Sequence, residues 1–210
     1  RPLDDVRVRR ALDMAIDRTR LARAYFGSEA LPAGQLLAPV FQGFDTSLVA
    51  TPYDPDGARA LLAEAGHAEG FTLNIWVPNA ARAYLPDPVG AADAIAGMLR
   101  EVGIDANVRS EGLRQFLTDR DHGRFTAWII GWEAQSADPD NVWFFHFGAG
   151  RAPSEGQYYN TDLAASLLSA QRTLGAAERT EIYQQAARTV ARDVARIFLV
   201  YTRPLVAVSD

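Results

Sequence analysis

Asp138 and Asp140 stand either side of Pro139 in the segment GWEAQSADPDN, and a pair of neighbouring carboxylates is what general acid and base chemistry would require. A helix start accounts for them more simply. Asp138 would be the N-cap, Pro139 the first helical residue and Asp140 a charge that offsets the helix dipole. The 3 histidines, His67, His122 and His146, are far apart in the chain, and none has the spacing of an H-E-x-x-H metal helix. His146, within Phe144-Phe145-His146-Phe147, is expected to pack. Cysteine is absent, which excludes disulfides, zinc-thiolate sites and thiol catalysis. There is no phosphate-cradling G-x-x-x-x-G-K and no G-x-S-x-G nucleophile elbow. Gly148-Ala149-Gly150 lacks the third glycine of a dinucleotide fingerprint and reads as a flexible turn.

What remains is recognition chemistry rather than bond-breaking chemistry. Trp132 follows Gly131 at the end of an apolar run, where an indole can either join the core or meet a ligand. Arg82 lies in a loop bounded by Pro78 and Pro88, close to Tyr84, and is either solvated or available to an anion. Gln135, in the crossing that follows Trp132, can bond to the backbone or to a ligand.

These side chains need a scaffold, and the sequence outlines one. The run from Phe125 to Ile130 reads as a buried strand by its aromatic and β-branched content. Phe71 to Val77 alternates apolar and polar with a period of two, a half-buried strand, and Ile104 to Val108 and Ile197 to Tyr201 are further strands, with Val206 to Val208 a candidate for another. Asp4 or Asp5 can cap a helix through Ile16, and Asp17 one that ends near Gly27. Asp54, Pro55 and Gly66 mark both ends of a helix. Apolar spacing from Ala92 to Val102, from Leu113 towards Gly123, from Thr161 to Arg172 and from Ala176 to Arg192 adds four more. Residues 28–53 lose periodicity under repeated proline and glycine, which predicts a loop wrapped over the domain. Alternating helices and strands indicate an α/β class, with a mixed sheet of about four to five strands covered by helices.

The chain has 210 residues, 48% of them hydrophobic and 22% charged, enough for one substantial core. A net charge of −5 without a basic block gives no nucleic-acid footprint. The apolar runs are too short to span a bilayer, and opening on Arg1-Pro2 suggests an excised or processed piece.

Taken together, DDVRVRRALDMAIDR, YDPDGARALLAEAG followed by GFTLNIWV, RAYLP with LREVGI, and GWEAQSADPDN resemble, in that order, the C-terminal lobe of the extracytoplasmic solute-binding proteins of peptide, dipeptide and nickel ABC transporters, family 5. The resemblance covers essentially the whole chain. It implies that residues 1–210 are one lobe of a two-lobed, type II periplasmic-binding-protein architecture that closes over its ligand. It implies no enzyme activity and no cofactor. The protein would be a monomer that delivers solute to a membrane permease, periplasmic or extracytoplasmic, with a lipid anchor on the missing N-terminus as one way of tethering it.

By the same resemblance, Arg82 takes the place of an arginine that grips the ligand carboxylate through paired hydrogen bonds, with Tyr84 beside it. Gly131, Trp132 and Glu133 match the stretch that lies along an extended ligand and offers main-chain hydrogen bonds. Gln135 departs from the pattern: peptide-binding relatives have an aspartate there for the ligand's α-ammonium. An amide does not offset a buried positive charge, so the expected ligands are an N-blocked peptide, an opine-like acid, an oligosaccharide or a chelated metal. A ligand-sensing domain of a transcription regulator is the alternative class, and an enzyme acting through Asp138 or Asp140 a third.

Overall fold

The computed structural model describes residues 1–148 and 158–202. After a 3-10 turn at Pro2–Asp4, the regular elements in chain order are α1 (Val6–Met14), α2 (Arg18–Tyr25), β1 (Leu31–Pro32), α3 (Pro55–Glu64), β2 (Thr72–Pro78), α4 (Pro88–Glu101), β3 (Asp105–Glu111), α5 (Leu113–Asp121), β4 (Ala127–Trp128), α6 (Asp140–Phe147), α7 (Thr161–Ala170), α8 (Ala176–Asp193) and β5 (Val200–Tyr201). Asp5, Asp17, Asp54 and Asp87 open the first four helices by accepting a backbone N–H from Arg7, Arg20, Gly57 and Gly90 at 2.8 to 2.9 Å. Such caps satisfy donors that have no partner inside the helix. Pro55 and Pro88 sit in the first turn, where a missing N–H costs nothing. The fourth helix therefore starts at Pro88 rather than Ala92: Asp87-Pro88 repeats the start signal of Asp54-Pro55.

β2 lies between β3 and β4, parallel to both, in the order β3-β2-β4. Leu73, Ile75 and Val77 of β2 are buried while Thr72 and Asn74 are exposed, the alternation the sequence shows. α4 supplies the crossover from β2 to β3 and buries Ala92, Ile95, Met98 and Leu99. α1, α3 and this sheet share one apolar core. A second core forms where α6, α7 and α8 pack around Trp143, Leu167 and Tyr183.

The strands do not form a single mixed sheet. β1 and β5 make a separate antiparallel ribbon in which Leu31 faces Tyr201 and Pro32 faces Val200. Pro32 has no N–H to give to the ladder, and beyond it one bond follows, from the Ala33 N–H to the Leu199 carbonyl at 3.1 Å. The expected strand from Ile197 to Tyr201 is accordingly reduced to its last two residues, and the one from Phe125 to Ile130 to Ala127–Trp128 plus one further rung, from the Ile129 N–H to the Trp76 carbonyl at 2.8 Å. Nor is that central stretch buried throughout. Phe125 is buried, stacked on Trp76 at 4.7 Å and packed on Phe116, but residues 127–130 are half-buried because β4 is a sheet edge.

α6 begins one residue later than expected, with Pro139 as its cap and Asp140 as its first helical residue. The Asp138 carboxylate still accepts the Asp140 N–H at 2.9 Å. Its main partner is Arg179 of α8, whose two terminal nitrogens reach it at 2.7 and 3.1 Å.

Residues 28–53 have β1 as their regular structure and are otherwise fastened by side chains. Buried Gln35 donates to the Asp45 carbonyl at 2.6 Å and accepts the Asp45 N–H at 3.1 Å. The Asp45 carboxylate meets Arg188 of α8 at 2.8 Å, and Thr51 donates to Asp13. The candidate turn at 148–150 and the candidate strand at 206–208 lie outside the described residues, except for Gly148, which caps α6.

Candidate functional site

The seam between the two cores is where the chain leaves the sheet. Ile129 packs against the first core and Ala134 against the second. Among the described residues, Ile130 to Ala134 make no backbone-to-backbone hydrogen bond. Among the described residues the outer side of β4 has no neighbouring strand. Such an edge offers peptide N–H and C=O groups to anything extended that lies alongside.

A cleft of about 1010 Å³ opens along this seam, lined by Ala83, Tyr84, Leu85, the run from Phe125 to Ala134, His146, Tyr158, Tyr159 and the run from Val194 to Thr202, among others. Four of the six candidate residues, Tyr84, Gly131, Trp132 and Glu133, share this wall. Trp132 is 36% exposed and not sealed in the core. Its ring stacks on Phe145, with centroids 3.8 Å apart, and meets the edge of His146 at 5.1 Å. One aromatic face is thereby fixed and the remainder is left to the cleft.

Arg82 and Gln135 are placed differently. Arg82 opens a tight turn whose ends bond reciprocally, Arg82 N–H to Leu85 O at 3.0 Å and Leu85 N–H to Arg82 O at 2.9 Å. Ala83, Tyr84 and Leu85 face the cleft, whereas Arg82 is exposed at its rim. Among the described residues its guanidinium has no ion-pair partner. Gln135 is exposed and absent from the lining. Its N–H donates to Asn141 Oδ1 at 2.9 Å, and its side-chain amide turns back towards the Glu133 carbonyl at 3.5 Å.

Three further participants are not among the candidates read from the sequence. Asn141 holds the crossing from below. Arg196 reaches His146 Nδ1 at 3.1 Å and lies over the Phe147 ring at 5.0 Å. A guanidinium only donates, so Nδ1 is the acceptor. Tyr158 donates to Asp193 at 2.6 Å, and burial, with the Asp193 hydrogen bond, pushes its hydroxyl up to about 12. Arg196 lies in an apolar segment that masks it, and Arg196 and Tyr158 find partners 50 and 35 residues away, whereas Asn141 bonds a residue 6 positions before it. His146, buried against Trp132, serves packing. Among the described residues no group of three or more acidic or histidine side chains could hold a metal ion.

This geometry, a parallel sheet edge opening on a seam cleft with an aromatic wall, defines one lobe of a type II periplasmic-binding-protein fold. Solved structures agree: HbpA2 of Haemophilus parasuis superimposes with a TM-score of 0.91 at 26% identity, over 96% of this chain and 40% of that one. The dipeptide-binding protein of Pseudoalteromonas sp. SM9913, in complex with Met-Leu, gives 0.90 at 25% identity with the same coverage. Residues 1–154 match bacterial extracellular solute-binding proteins, family 5 Middle, and the chain belongs to this family. It is 29% identical to heme-binding protein A of Haemophilus influenzae over 88% of its length, and 29% identical to the dipeptide-binding protein of Escherichia coli over 89%. It spans about a third of those two relatives, 34% and 35% of their lengths.

Proposed function

We propose that the protein containing this lobe is the solute-capturing component of an ABC importer, binding a peptide or related small solute and delivering it to a membrane permease. The observation that carries this reading is the half-open cleft: an edge from Ile130 to Ala134 that is unpaired among the described residues, an indole fixed on one face by Phe145, and a guanidinium at the rim. An extended ligand laid on such an edge gains main-chain hydrogen bonds, while side-chain pockets select among ligands. Among relatives, one is named for dipeptides, one for heme, and one holds Met-Leu. The Asp138 carboxylate, engaged by Arg179 on another helix, is better suited to holding the crossing in place than to proton transfer.

No helix among the described residues is long and apolar enough to cross a membrane; in this reading the permease is a separate partner. We place the protein outside the cytoplasm, periplasmic or lipid-anchored. The test is calorimetry on the full-length protein, stripped of copurifying solute, against di- and tripeptides, opine-like acids, oligosaccharides and metal chelates. Micromolar or tighter binding of one class is expected, with loss of about tenfold or more on Arg82→Ala if that solute carries a carboxylate. Failure of every class to bind would remove the receptor assignment.

A further inference from the structure

The acidic residues in the cleft lining are Asp4 and Glu133. Asp4 lies in the 3-10 turn at Pro2–Asp4, whereas Glu133 lies on the segment that carries Gly131 and Trp132. Glu133 is exposed and, among the described residues, its carboxylate has no hydrogen bond or ion pair. It follows directly on Trp132, whose π-face attracts cations as a carboxylate does.

The backbone that carries Glu133 is held from both sides. Upstream, the Tyr84 ring lies against Gly131. Downstream, Asn141 bonds the Gln135 N–H, the Gln135 amide approaches the Glu133 carbonyl, and Ala134 packs into the second core. The main chain under the carboxylate is thus ordered before a ligand arrives, which leaves the side chain's rotamers to be fixed on binding. Across the Tyr84 turn stands Arg82, a cation with no ion pair among the described residues. The lining thus carries a negative group beside the indole, and a positive group stands at the cleft's rim.

Building on the receptor reading, we propose that Glu133 holds a free ammonium group of the solute, and that Gln135, being turned out of the lining, does not decide the charge of that end. A free amine is therefore favoured over an N-blocked ligand, contrary to what the amide at 135 suggests by itself.

The probes are Ala-Phe and N-acetyl-Ala-Phe, titrated calorimetrically into the full-length protein and its Glu133→Gln and Gln135→Ala variants. The expected result is that Glu133→Gln weakens Ala-Phe by about 10- to 100-fold and leaves the acetylated form unchanged, while Gln135→Ala changes Ala-Phe by less than about threefold. The glutamine is isosteric at an exposed position, and equal melting temperatures would confirm that the variant is folded. Equal Ala-Phe affinity in wild type and Glu133→Gln would overturn the proposal. So would binding of the acetylated peptide, or of another solute, without binding of Ala-Phe, a result that leaves the receptor reading standing. A protein that binds no small solute at all sinks both.

Discussion

The Tyr84 ring lies so close over Gly131 that a Cβ built on the glycine would run into Tyr84 Cδ2, with two more ring carbons each 2.9 Å away. Glycine at 131 is thus a packing requirement set by an aromatic ring from another loop. Gly131→Ala forces the ring or the edge strand to move. We expect it to destabilise the protein by about 1–3 kcal/mol, the usual penalty for overpacking, and to weaken solute binding. Adding Tyr84→Ala should restore part of the stability but not the affinity, a non-additivity that marks direct contact. Thermal melts and calorimetry on the single and double variants read both effects.

The second expectation concerns a buried cation. Arg18 is buried and pairs with Asp13, and also donates to the Phe198 carbonyl at 2.7 Å and the Asp13 carbonyl at 3.0 Å. Asp13 in turn receives Thr51, so the pair joins the start of α2, the 28–53 segment and the approach to β5. Asp13→Ala leaves the guanidinium without its counter-charge, and we expect a loss of about 3–5 kcal/mol in denaturant titrations. Replacing both, with Asp13→Leu and Arg18→Met, should cost less than Asp13→Ala alone, because no unpaired charge remains.

Acid sensitivity should trace partly to Asp45. The Ser47 hydroxyl and N–H, and then Arg188, bond its carboxylate and hold it below its ordinary 3.8, against the opposing effect of burial. A depressed folded-state pKa stabilises fully above the unfolded value and is lost as pH falls through the folded one. The stability gap between wild type and Asp45→Asn should therefore be constant at neutral pH and shrink below about pH 4. A gap that widened in acid would contradict this assignment.

The sequence was most legible where local chemistry decides the structure. Asp54-Pro55 and Gly66 bracket a helix that the structure closes at Ala65, with Gly66 at a φ of 83°, a backbone region open to glycine. The alternation in β2 was visible for the same reason. The edge strand was overestimated, because Phe125 to Ile130 looks equally apolar whether or not a second strand borders it, and among the described residues none does. In the candidate site, Tyr84, Gly131, Trp132 and Glu133 share a wall, while Gln135 faces away because Asn141, on the following helix, claims its N–H. Contacts of that kind depend on tertiary placement, which spacing in a single chain does not encode. Arg196 is the clearest case: it sits 50 residues from His146 in an apolar stretch with no pattern of its own.

The bond between Asn141 and Gln135 gives the last expectation. The 2.9 Å contact is a side-chain bond from α6 to the crossing's main chain, whereas Arg179 and Asp138 hold the crossing further along, from α8. Removing the acceptor with Asn141→Ala should cost global stability only about 1 kcal/mol, since the site is exposed and water can replace the oxygen. Locally the effect should be larger: the Gln135 amide loses its partner and should exchange with solvent faster than in wild type, while amides in β2 and α4 keep their rates. Asn141→Asp preserves an acceptor of the same shape and should restore slow exchange. Solute affinity should fall in Asn141→Ala and recover in Asn141→Asp if the ordered crossing pre-forms the wall that carries Glu133. Affinity unchanged in the alanine variant, with Gln135 exchange accelerated, would show that ligand binding orders this segment by itself and that pre-organisation by α6 contributes nothing.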